Sequence, residues 1–339
     1  MLDLQTWISQ QLDLPLHAVK LEAASADASF RHYYRLHIGA SHSQIADKTV
    51  IVMDASAERA SCAPFMRVAR LLAEGGLHVP KILAAAPERG WLLLSDLGTQ
   101  TYLDVLNSGL DVPNDALDSG NADRLFDAAI DALIAQQKIV CPVDFPQYDA
   151  ALLRRELELF PDWYLQQHLR IDIDANLRAE LDTVFELLIE QILQQPRVFV
   201  HRDFMPRNLM ISDPMPGVLD FQDAVCGPIA YDPICLFKDA FISWPEARVE
   251  NWLQIYWRRA RAAQLPVAAT FAEFYRDCDF IGTQRHLKVI GIFARICHRD
   301  GKPKYVGDVP RFFNYLRGAC SRRSEFAPLA ALMDKLPAP

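Results

Sequence analysis

Apolar positions in this chain follow two rhythms, and the two are unevenly distributed. Leu4, Trp7, Ile8 and Leu12 fall on one helical face, so the spacing predicts a short helix over 3–12. Segments 19–23, 30–38, 48–54, 81–86 and 91–95 then read as β-strands. A helix over about 59–74 is inserted among them, and Gly75-Gly76 supplies its C-terminal stop. After Gly98 the three- and four-residue spacing dominates, and helices are predicted over 123–138, 151–169, 175–194, 232–241, 246–264, 270–296 and 309–322. The stretch around 107–122 reads as a surface loop without evident chemistry. Short apolar runs at 198–200, 209–211 and 218–219 interrupt the helical half and read as buried strands. No internal repeat is present. The order predicts an α+β fold: a small β-rich N-terminal lobe over 1–97, and a large, mostly helical C-terminal lobe over 98–339.

The short strands carry the chemistry. Val-Phe-Val runs into His201-Arg202-Asp203, Asn208 follows five residues after Asp203, and Asp220 twelve after Asn208. This is the spacing of a phosphoryl-transfer site, with one carboxylate to orient a hydroxyl and an amide and a carboxylate to hold magnesium. A transferring phosphoryl group spreads negative charge over its oxygens, and magnesium takes hard oxygen ligands from one or two carboxylates, phosphate and water. Asn208 and Asp220 fit that need, and Asp203 fits the role of base. His201 reads as a packed, hydrogen-bonded loop residue.

Composition narrows the partners. The 339 residues include 35 basic and 43 acidic side chains, a net charge of −8, and the pI is about 5.6. That balance, without a run of like charge, argues against nucleic acid. No apolar run reaches the roughly 18 residues that span a bilayer. The N-terminus lacks the basic region of a secretory signal. Seven scattered cysteines without a C-x-x-C fit reduced thiols, and a cytoplasmic location is expected. No required protein partner is evident.

Taken together, these residues resemble the aminoglycoside-phosphotransferase-like branch of the protein-kinase fold, over roughly 20–320. Within it the chain is most similar to the bacterial anomeric kinases of N-acetylmuramate and N-acetylglucosamine. Four stretches carry that closer match: Asp27–Arg31, Val52–Ala55, Asp220–Asp232 and Gln284–Arg295. The resemblance implies a two-lobed kinase-like fold, ATP and Mg2+ as nucleotide and metal, and transfer of the γ-phosphate to the anomeric hydroxyl of a small amino sugar in cell-wall sugar recycling. It implies Asp203 as the base and Asn208 and Asp220 as the metal ligands. Only about a dozen residues separate Asp220 from Asp232, where a helix is predicted. That leaves little room for a peptide platform and favours a small acceptor.

Two departures stand out. Kinases end their third strand with a lysine that grips the phosphates, whereas this chain has Val50-Ile-Val-Met53. Arg31 is the leading replacement cation, ahead of Lys48 and Arg207. The glycine-rich loop is also missing, and Ala24-Ser-Ala-Asp27-Ala-Ser29 stands in its place, with Ser29 able to donate a hydroxyl. Ser95, Asp96 and Leu97, where the last strand meets a polar linker, are the candidates for adenine. Asp223, Arg285 and Lys288 are the candidates for the acceptor, the last two forming a basic helix face that suits a carboxylate. Two rivals stay open: a kinase of another alcohol, of aminoglycoside or choline type, and an inactive nucleotide-binding regulator, for which Met53 is the motive.

Overall fold

The computed structural model describes residues 1–24, 31–38, 48–108 and 119–337. The glycine-loop replacement with Ser29, and most of the 107–122 loop, lie outside the described residues. Contacts gather the chain into two compact units, one of residues 1–132 and 207–224, the other of residues 133–206 and 225–339.

The first unit is built on a five-stranded antiparallel sheet. Its strands are β1 (Leu21–Ala23), β2 (His32–His37), β3 (Thr49–Asp54), β4 (Ile82–Ala86) and β5 (Trp91–Ser95), in the order β1-β2-β3-β5-β4. Alternation along β3 sends Val50 and Val52 to one face, where they join Leu36 and Leu93. The predicted stripe of helix α1 (Leu2–Leu12) covers that face with Leu4, Trp7, Ile8 and Leu12, all buried. Helix α2 (Cys62–Glu74) buries Phe65, Val68, Ala69 and Leu72, the i, i+3, i+4, i+7 set of an amphipathic helix. Its Phe65 ring packs 4.9 Å from Phe221. A short helix α3 (Tyr102–Asn107), not expected from the pattern, starts on a Thr101–Asp104 capping box. Helix α4 (Ser119–Gln137) follows.

The second unit surrounds α9 (Phe271–Asp300), a 30-residue helix that begins on a Thr270–Glu273 capping box and ends at Gly301 in the left-handed region. It packs against α6 (Ala175–Leu193), α7 (Tyr231–Phe237) and α10 (Val309–Arg322), with α5 (Ala150–Leu157), α8 (Glu246–Ala262) and α11 (Ala327–Met333) completing the set. The helix predicted over 151–169 is divided. It is α-helical to Leu157, and Phe160–His168 winds as a π-helix, because Pro161 offers no N–H to the α-helical ladder. Helix α7 also stops before 241. The Asp239 carboxylate accepts the N–H groups of Phe241 (2.7 Å) and Ile242 (3.1 Å) and turns the chain.

Helix α9 and the chain between α5 and the π-helical segment approach at backbone distance. A Cβ on Gly291 would lie 2.3 Å from the carbonyl carbon and oxygen of Leu159. Gly291→Ala is expected to destabilise the fold by about 1–3 kcal/mol through overpacking, read as a lower urea midpoint at unchanged m-value.

Candidate active site

The chain enters the catalytic loop from strand β6 (Arg197–Val200), paired antiparallel with β9 (Val225–Pro228). Beyond Val200 the ladder ends, and a side chain takes over as acceptor. The buried Asp232 carboxylate receives the peptide N–H of His201 (2.7 Å) and of Arg202 (3.0 Å), together with the Gln136 amide (2.7 Å). Burial pushes this carboxyl above its ordinary range, against the pull of those donors. Asp232 stands inside the first turn of α7 rather than at its N-cap. Ala230 occupies that position, and Asp232 clamps the loop instead. His201 is fully buried and its Nδ1 accepts the Asp203 peptide N–H (3.2 Å), as a packed loop histidine should. Arg202 is left-handed, with φ of 77°. Asp203 follows half-buried, and a tight turn closes through the Met205 N–H to the Asp203 carbonyl (2.9 Å).

Three cations border Asp203 within this unit: Arg202, Arg285 and Lys288. Arg285 and Lys288 therefore lie together with the predicted base. Neither side chain is solvated. Arg285 is 2 % exposed, and its Nη1 has no hydrogen-bond partner. Lys288 Nζ is 3.0 Å from Glu156 Oε1 and donates to the Tyr231 hydroxyl (3.1 Å). Glu156, buried on α5, also accepts from Arg202, from the Tyr148 hydroxyl and from the Gln284 amide (3.1 Å). Burial alone would raise the Glu156 carboxyl. Lys288, Arg202 and Tyr148 outweigh it and hold the pKa down at about 2. Sequence reasoning missed Glu156 and Tyr148. The only signal was a polar run on α9, Thr283 to His286 with Lys288, set between apolar residues.

The metal candidates sit in the other unit. Strand β7 (Leu209–Met210) pairs with β8 (Gly217–Val218), and the Leu219 N–H bonds the Asn208 carbonyl (2.9 Å). This antiparallel register turns a spacing of twelve residues into adjacency: Asn208 Nδ2 is 3.5 Å from Asp220 Oδ2. The hairpin is fastened to its unit where the Val218 N–H reaches the His78 carbonyl (2.7 Å). Asp220 adopts φ of 63° and is exposed. The Gln222 amide bridges Asp220 (2.9 Å) and Asp223 (3.2 Å). One amide and one carboxylate are a hard donor set that suits magnesium completed by phosphate and water oxygens. No cluster of three or more His, Cys, Asp or Glu that could hold a metal unaided occurs among the described residues.

The remaining candidates lie in the same unit as Asp220. Met53 is fully buried and paired with Tyr33 across β2 and β3. Arg31 bonds the Tyr33 hydroxyl and lies 3.3 Å from the Ser61 hydroxyl. Burial is the main cause that pushes the Tyr33 phenol up to about 12, with Asp220 contributing. Arg31, Tyr33 and Asp220 are thus electrostatic neighbours. Lys48 is exposed and Arg207 half-buried. The side chains at the strand end are engaged inside the unit. Ser95 Oγ accepts the Lys81 N–H (2.8 Å), and Asp96 pairs with Arg35 (2.6 Å) and the Gly98 N–H (3.0 Å). Arg35 also bonds the Gly98 carbonyl (2.8 Å), and Leu97 is buried.

The chain belongs to the phosphotransferase enzyme family, whose profile matches residues 20–272. It is 55 % identical over 318 residues, 94 % of this chain and 89 % of the relative, to an N-acetylmuramate/N-acetylglucosamine kinase of Pseudomonas aeruginosa. A kinase of the same description from Pseudomonas putida is 52 % identical over 343 residues, covering 99 % of this chain and 96 % of its own. Among solved structures, a choline kinase from Cryptosporidium parvum superposes with a TM-score of 0.64 over 98 % of this chain and 99 % of the other, at 12 % identity. The fold is that of the protein-kinase-like phosphotransferases, a β-sheet region followed by a mostly helical remainder, as the sequence predicted. No described helix is long and apolar enough to cross a membrane.

The Glu156 carboxyl gives the acid behaviour a sign. The unfolded chain takes up this proton near the ordinary 4.5, the folded protein only near about 2. Stability contributed by this group is full above 4.5 and is lost as the pH falls toward about 2. Urea unfolding across that window is expected to show falling stability, with a shallower fall in Lys288→Met, which lacks one of the cations holding the proton off.

Proposed function

We propose that this enzyme is an ATP- and magnesium-dependent kinase of small amino sugars, transferring the γ-phosphate to the anomeric hydroxyl of N-acetylmuramate, N-acetylglucosamine or both, in recycling of cell-wall sugars. Identity above 50 % to kinases described by those two sugars, over nearly the whole chain, carries this reading. The chemistry around Asp203 agrees with it. Aminoglycosides and choline are cationic, and Arg202, Arg285 and Lys288 beside Asp203 oppose a cationic acceptor. A lactyl carboxylate, by contrast, suits them.

In this mechanism Asp203 orients the anomeric hydroxyl and accepts its proton as the new O–P bond forms. Asn208 and Asp220 hold the magnesium ion. When bound, magnesium neutralises charge on the phosphate oxygens. Arg31, oriented by Tyr33 and Ser61, supplies the cation that Met53 cannot. Arg285 and Lys288 order the acceptor, with Asp223 as a further acceptor contact. Since Ser95 and Asp96 have partners, adenine is held there mainly by main chain and by Leu97.

A panel of amino sugars, aminoglycosides and choline, each offered with labelled ATP, tests the reading. Label on an amino sugar is expected. Label only on an aminoglycoside or choline, or ATP binding without transfer to any acceptor, overturns it. Asp203→Ala is expected to keep the fold and to lose roughly two to four orders of magnitude in kcat. Arg31→Ala is expected to raise the KM for ATP about tenfold or more while leaving the acceptor KM unchanged, the loss expected for a charge-assisted contact. Steady-state kinetics at saturating co-substrate checks both.

A further inference from the structure

The left-handed backbone of Arg202 is an expense at the residue immediately before Asp203. A non-glycine residue persists there only where its surroundings over-determine it. Three contacts do so. Its N–H donates to Asp232 (3.0 Å), its carbonyl accepts from the Cys235 thiol (3.2 Å), and its guanidinium is gripped by Glu156. The first two act on the backbone from α7. The third comes from α5, 46 residues earlier in sequence, and is the only one of the three that is an ion pair.

Glu156 is itself over-determined. It is 5 % exposed, yet both oxygens are occupied: Oε1 by Arg202 and Lys288, Oε2 by Tyr148 and Gln284. Gln284 and Lys288 stand one turn apart on α9 and reach the same carboxylate. A buried carboxylate with four donors cannot rotate without leaving one of them unsatisfied. The Arg202 guanidinium also lies over the Tyr148 ring, 5.9 Å from its centroid.

We propose that Glu156 is a positioning residue for phosphoryl transfer: it locks Arg202 in the left-handed conformation that aims Asp203. Glu156 does not touch the reacting atoms. Its effect passes through the backbone of Arg202, whose ψ sets the direction in which Asp203 leaves the loop. The proposal rests on the functional reading above for its kinetic consequence, but its structural core stands independently.

The test compares wild type, Glu156→Gln, Arg202→Gly and the double variant, with kcat and both KM values measured. Glu156→Gln is expected to lower kcat by about 10²-fold, the scale of an ångström-sized misplacement, with the KM for ATP unchanged. Glycine adopts positive φ without penalty and offers no guanidinium. In the Arg202→Gly background the Glu156→Gln loss therefore shrinks to within about threefold, the mark of coupled rather than additive sites. A folded Glu156→Gln with near-native kcat overturns the proposal, as do losses that multiply in the double variant. Should Glu156→Gln fail to fold because two buried cations lose their anion, Glu156→Gln/Lys288→Met compared with Lys288→Met gives the same reading. If wild type phosphorylates no amino sugar, the functional reading fails, and hydrogen exchange decides the positioning role alone. The Arg202 amide, bonded to Asp232, then exchanges about tenfold faster or more in Glu156→Gln, and unchanged exchange overturns it.

Discussion

The candidate catalytic loop depends on one buried carboxylate accepting main-chain hydrogen bonds where the β-ladder has run out. Strand β6 ends at Val200, and the next two N–H groups must find acceptors or be buried unsatisfied. Asp232 provides both oxygens from the first turn of α7. This makes the loop an extension of the helical unit rather than a free connection, and it places Asp203 where Arg285 and Lys288 of α9 border it. The cost of burying Asp232 is offset by a third donor, Gln136, so all its bonds come from inside the unit. Around that fixed point the charges are arranged in layers: Asp232 under the backbone, Glu156 under the cations, and the cations beside Asp203.

The parts of the site legible in the sequence are those closed by local structure. Asp203, Asn208 and Asp220 announce themselves because short apolar strands flank them and because the β7–β8 hairpin converts linear spacing into contact. The strand and helix pattern was equally readable, since α1, α2 and α10 each carry a one-sided apolar stripe. What was not legible is long-range. Gln284 meets Glu156 across 128 residues, and nothing near either position shows that the other exists. Helical spacing placed Arg285 and Lys288 on α9 but could not tell a solvated face from a buried one, because that depends on which element covers the helix. The predicted helix over 151–169 ran straight through Pro161, and the π-helical segment that replaces its second half was not read from the sequence.

The end of the third strand shows which local charges surround a buried methionine. Met53, near the end of β3, is fully buried. The neighbouring strand carries Tyr33 opposite Met53, with Asp220 in its electrostatic reach, and Arg31 lies just before that strand and bonds the Tyr33 hydroxyl. Asp96, conversely, shows a polar linker residue already committed: Arg35 binds it and also bonds Gly98, so the chain after β5 is anchored to β2.

The close approach of Gly291 to Leu159 bears on the charged layer in a further way. Leu159 lies three residues after Glu156, and Gly291 three after Lys288, so the main-chain contact falls one helical turn along from the ion pair on both segments. Two backbones in van der Waals contact act as an index mark: neither segment can slip by a residue without collision, whatever side chains repack nearby. The spacing between carboxylate and ammonium is thereby inherited from the polypeptide itself, which lets the surrounding core drift in sequence while the electrostatics beside the catalytic loop stay in register.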